Sequence, residues 1–117
     1  MKRMIGLLLF AMLVTFDVRA ETPVLIPSIN LSGTITTTST FQTIQAVNNG
    51  RLGCTIQNNG THTMYVYFGP PANATTAASA QLLAGLSLNC WITPGYVLKD
   101  TVSITGTSGD AFYANFQ

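Results

Sequence analysis

The residues of this chain that could do chemistry are few: one histidine, two cysteines and four carboxylates in 117 residues. The histidine, His62, lies in "IQNNGTHTMYVYFG", between a glycine turn and an aromatic run. Acid–base or nucleophilic catalysis needs a base, an orienting group and a nucleophile within mutual reach. Serine and threonine are plentiful, but no nucleophile-elbow motif accompanies them. Zinc is worse served, because one histidine and two cysteines better used in a disulfide leave too few ligands. Asp100 and Asp110 bracket "TVSITGTSG" and suit a glycosidase pair or a calcium loop only if a cleft joins them. The expectation is an exposed turn histidine and two solvated strand-end acids. It implies a non-enzyme without catalytic, cofactor-binding or metal-binding residues.

Cys54 and Cys90 allow a single pairing, and the N-terminus supplies a compartment in which it would form. In "MKRMIGLLLFAMLVTFDVRA", Lys2 and Arg3 are a basic start, Ile5 to Val14 an apolar stretch, and Val18-Arg19-Ala20 a fit to a cleavage site. The apolar stretch is far short of the roughly 20 residues that span a bilayer. Residues 1–20 therefore read as a signal peptide, and the mature form, starting near Glu21, is expected to have no stable membrane span. Export to the periplasm, the extracellular space or a virion surface follows, with a Cys54–Cys90 disulfide. Such a loop closure stabilises by about 3–4 kcal/mol in the chain-entropy model.

Only 8% of residues are charged while 47% are hydrophobic. After the leader, Glu21, Asp100 and Asp110 face only Arg51 and Lys99. No basic face could neutralise several phosphates, which argues against nucleic acid as a partner. Anionic membrane surfaces are disfavoured for the same reason.

The elements that must carry these residues read as strands. Residues 21–32 form an extended lead-in, with Pro23 and Pro27 opposing regular structure. Residues 33–117 form one domain. "TITTTSTFQTIQAV" is β-branched and without helical period. Leu52, Cys54 and Ile56 alternate, as do Met64, Val66 and Phe68, and the Asn/Gly turn between them predicts a hairpin over residues 51–68. "GPPANATTAASA" is a loop. Leu86, Leu88, Cys90 and Ile92 share a phase; Val102 and Ile104 share another; Phe112, Ala114 and Phe116 a last one. The prediction is an all-β, single antiparallel β-sandwich, jelly-roll or immunoglobulin-like, with the disulfide bridging facing sheets. Tyr65, Tyr67 and Trp91 fall out of phase with the core. They are the candidate interface or ligand surface, since exposed aromatics serve protein contacts and sugar rings alike.

The stretch from "CTIQNNGTHTMYVYFGP" to "VSITGTSGDAFYANFQ" resembles small β-rich structural proteins of bacteriophages and prophages, over about residues 51–117. The resemblance implies a virion-associated, decoration-type role without catalytic residues. The chain departs from such proteins in its export signal and paired cysteines. The expected function is an exported structural or assembly protein, partnered by copies of itself or by other structural proteins. The alternative is an exported adhesin-like or carbohydrate-binding module with a glycan as partner.

Overall fold

A computed structural model describes residues 27–93 and 95–117. The predicted signal peptide, the first part of the predicted lead-in, Pro94 and the side chain of Ile92 lie outside the described residues.

The strands are β1 (Ile29–Asn30), β2 (Gly33–Thr34), β3 (Gln42–Gln45), β4 (Cys54–Asn58), β5 (Met64–Phe68), β6 (Ala80–Leu82), β7 (Ser87–Asn89), β8 (Trp91–Thr93), β9 (Tyr96–Val97), β10 (Val102–Thr105) and β11 (Ala111–Phe116). Two 3-10 turns, Pro71–Asn73 and Thr76–Ala78, occupy the predicted loop. The front sheet runs β1-β11-β4-β7, with β2 also on β11; the back sheet runs β3-β10-β5-β6; β8 and β9 pair separately. All pairings are antiparallel. β1 and β2 are one edge strand interrupted at Leu31–Ser32, where the Ser32 hydroxyl accepts the Ala114 N–H that a ladder carbonyl would otherwise take.

The connectivity is nested. The first edge strand pairs the last strand, β3 pairs β10, β4 pairs β7 and β5 pairs β6. A long hairpin folded over itself gives this order, with β8–β9 inserted in its return arm. This is the double Greek key of a jelly roll, one of the two predicted sandwich types.

Alternation builds the core locally. Cys54 and Ile56, Met64 and Val66, Val102 and Ile104, and Phe112, Ala114 and Phe116 are buried, joined by Ile35, Leu82 and Cys90. Each set occupies one phase of its strand, so all point between the sheets.

Several expectations are corrected. β4 and β5 do not form a hairpin: β4 pairs β11 and β7 in the front sheet, whereas β5 pairs β10 and β6 in the back sheet. The reason is Asn58, which is fully buried. Its Nδ2 donates to the carbonyls of His62 (2.7 Å) and Leu82 (2.9 Å), and its Oδ1 accepts from the Gly60 N–H (2.9 Å). These bonds hold the chain in an arch that crosses from one sheet to the other.

The disulfide does form, with Cα atoms 5.1 Å apart, but it does not bridge facing sheets. Cys90 follows β7, and its N–H donates to the Cys54 carbonyl, so the bridge joins neighbours in the front sheet. Inward phase on both strands is equally satisfied by residues side by side. Leu52 and Leu86 are exposed rather than in the core. Leu52 precedes β4, with its N–H on the Gln117 carbonyl, and Leu86 closes a turn back to the Leu83 carbonyl.

The space beside Leu52 is taken by a residue the sequence hides. Arg51 is fully buried. Its guanidinium donates to Gln45 Oε1 (2.8 Å) and to the carbonyls of Leu98 (2.7 Å), Asp100 (2.9 Å) and Ala46 (3.3 Å), and lies over the Phe116 ring. Lys99 Nζ in turn donates to the Arg51 carbonyl. Burial lowers the Arg51 pKa, opposed by the charge of Asp100. One side chain thus ties three segments, 45–46, 51 and 98–100, into a single end of the sandwich.

Candidate functional site

His62 sits at the other end, on the arch. Its Nδ1 is 3.0 Å from Asp110 Oδ2 and 3.2 Å from Thr61 Oγ1. Asp110 also accepts the backbone N–H groups of Thr61 and His62. Desolvation raises the Asp110 pKa. The bonds from the Thr61 N–H and from the side chain and N–H of His62 outweigh it, so the carboxyl lies below its usual range. A serine- or threonine-type triad needs the hydroxyl on one ring nitrogen and the carboxylate on the other. Here both fall on Nδ1. The arrangement works as a clamp on the arch. Asp100 and Asp110 stand at opposite ends of β10, the first beside the Arg51 cage and the second beside His62, so no cleft joins them. Among the described residues no group of three or more His, Cys, Asp or Glu side chains could hold a metal ion.

The three aromatic candidates do not form one surface. Tyr65 and Tyr67 lie on the outer face of the back sheet, opposite Thr105 and Ser103 on β10, and both rings are half-buried. Phe41 meets Tyr67 edge to face at 6.4 Å. Ser103 is buried and bonded to the Gly69 carbonyl (2.8 Å). Tyr65 lines a pocket of about 140 Å³ with Thr38, Ser39, Thr63, Thr76, Thr105 and neighbours. Ser39 holds positive φ (59°) there, a strained conformation for a residue with a side chain, with its N–H on the Gly106 carbonyl. Thr105, only 1% exposed, is the buried side chain whose hydroxyl has no partner among the described residues.

Trp91 stands on the front-sheet side and is 56% exposed. It borders a pocket of about 220 Å³ with Gly53, Cys54, Thr55, Asn89, Asn115 and Gln117. Register explains the lining. Asn115 pairs Thr55, and Thr55 pairs Asn89, so all three share the outer face in one cross-strand row, extended at the edge by Asn30. Thr55 Oγ1 donates to Asn89 Oδ1 (3.0 Å). The indole rests against Gly53: a side-chain carbon there would lie 3.2 Å from the indole nitrogen. Trp91 was legible as out of phase with Cys90. Asn89, Asn115 and Gln117 were not singled out, although the phase opposite to Phe112, Ala114 and Phe116 marks Asn115 as outward.

The fold class is therefore a jelly-roll sandwich with two lined outer faces and a disulfide beside one of them. No helix among the described residues is long and apolar enough to cross a membrane. No family model, curated protein or solved structure matches the chain.

Proposed function

We propose that this chain is an exported, non-enzymatic structural protein, a virion-associated or surface-decorating sandwich that assembles with copies of itself or with other structural proteins. The observation that carries the reading is the turn between β6 and β7. Leu83 and Leu86, at its two ends, are 49% and 54% exposed. Gly85 supplies the positive φ (78°) the turn requires. The backbone of Asn58 clamps it from beneath, accepting the Gly85 N–H (2.8 Å) and donating to the Leu86 carbonyl (2.9 Å). Two leucines held rigidly in water are a pre-organised contact. Each stabilises a complex by about 1.5–3 kcal/mol when fully covered, and little ordering entropy is lost because the turn is already fixed.

Export is supported by the leader-like N-terminus and by the disulfide, and the non-enzymatic reading by both His62 contacts falling on one nitrogen. The test is light scattering of the processed, oxidised protein after size exclusion. An assembly larger than a monomer is expected, returned to monomer by Leu83→Ser with Leu86→Ser while the melting temperature holds. A wild-type monomer at high concentration overturns assembly with copies of itself.

A second reading, an exported recognition module, is favoured by a separate observation, the solvent-facing Trp91 at the mouth of an amide-lined pocket.

A further inference from the structure

We propose that the Trp91 pocket binds a neutral sugar ring, the indole stacking on its apolar face while Asn89, Asn115 and Gln117 read its hydroxyls; this rests on the recognition reading above. The lining selects the ligand class. Asn89, Asn115, Gln117, Thr55 and Trp91 include no ionisable side chain. A phosphate or carboxylate would find no cationic side chain there. A wholly apolar ligand would cover amides and leave them unpaired, which is costly. A hydroxyl both donates and accepts, and each amide side chain offers both functions. Among the described residues no hydrogen bond occupies the side-chain amides of Asn115 or Gln117, whereas Asn89 Oδ1 is already fixed by Thr55. One amide is thus oriented in advance and two are free to bond.

The aromatic partner is equally pre-set. Gly53 is buried against the indole, and a side-chain carbon there would crowd the ring nitrogen at 3.2 Å. The ring meets the protein at its nitrogen edge, and the residue is 56% exposed. Sugar rings carry C–H groups on their faces and hydroxyls around their edges, which matches an aromatic platform beside amides. Neighbouring strands are about 4.8 Å apart, so Asn115, Thr55 and Asn89 form a row long enough to follow a chain beyond the first ring. Lys99 and Asp100 belong to the Arg51 cage and do not line the pocket.

Trp91 is the only tryptophan, so tryptophan fluorescence, excited selectively over tyrosine, reports on this site alone. The processed, oxidised protein would be titrated with neutral oligosaccharides (malto-, cello-, chito- and galacto-series), with calorimetry in parallel. A saturable spectral change with one series is expected. Calorimetric affinity should fall about tenfold or more in Trp91→Ala, and also in Asn115→Ala, with unchanged melting temperatures. Tyr65→Ala should bind as wild type. Binding that survives both Trp91→Ala and Asn115→Ala overturns this site while leaving recognition standing elsewhere. Binding only of anionic glycans overturns the neutral-sugar assignment. No binding across a full glycan array overturns the site and the recognition reading together.

Discussion

On the front sheet, Asn115, Thr55 and Asn89 form a cross-strand row open to solvent; on the back sheet, the equivalent row of Ser103 and Tyr67, and its neighbour of Thr105 and Tyr65, is covered. Both faces are outward phases of antiparallel strands built from hydroxyls, amides and aromatics. They differ in what passes over them. Segment 36–41 folds onto the back sheet, held by the Ser39 N–H on Gly106, the Ser108 N–H on Thr38 Oγ1 (3.0 Å) and the Phe41–Tyr67 contact. Over the front sheet, among the described residues, the Trp91 indole borders the row from β8. A covered face must satisfy its polar groups internally, and Thr105 is where that fails. An open face leaves its amides for another molecule.

The largest expected effect tests what supports the open face. Cys54→Ala with Cys90→Ala removes the staple between β4 and β7 and should cost about 3–4 kcal/mol, a large share of the stability of a small domain. Denaturant unfolding measures it. Saccharide affinity should fall as well, because Asn89 and Thr55 sit one residue from the bridge on the two strands it joins.

A smaller effect, of opposite sign, separates the two faces directly. Thr105→Val keeps the shape and removes the unpartnered hydroxyl, so it should stabilise by about 1 kcal/mol. Thr55→Val on the open face should stay within about 0.5 kcal/mol. A clear loss in Thr105→Val would mean that the covered pocket holds a molecule bonded to that hydroxyl.

The smallest effect concerns the arch joining the sheets. Asp110 is held below its usual pKa, so its ionised form stabilises the fold above the unfolded carboxylate pKa of about 4. That contribution disappears as pH falls through the folded value. Asp110→Asn should therefore melt below wild type at neutral pH, and the gap should close below about pH 4. A gap independent of pH would assign the effect to the altered side chain's neutral hydrogen bonds.

Periodicity was legible because alternate burial is a local property of an extended chain: the inward phases of β4, β5, β10 and β11 could be read directly. Which strand each one pairs with was not. "NNGTH" suits a tight hairpin and an arch equally, and the choice fell to Asn58, whose amide reaches the Leu82 carbonyl 24 residues away. The disulfide partners were evident from their number, while their position side by side in one sheet depended on β7 returning to β4. Arg51 reads as a surface charge because its carbonyl partners at 46, 98 and 100 meet only after folding. The candidate site divides the same way. Trp91 could be named from its phase beside Cys90, but Asn89, Asn115 and Gln117 join it through register across three strands.

By itself the sequence determined an all-β chain with one cysteine pair, inward and outward phases, and few charged residues. Those properties depend on residue type and near-neighbour spacing. Tertiary structure alone decided the jelly-roll order, the burial of Arg51, the clamp of His62 by Asp110, and which outer face stays open. Each of these needs groups far apart in sequence to meet, and only the closed sandwich brings them within hydrogen-bonding distance.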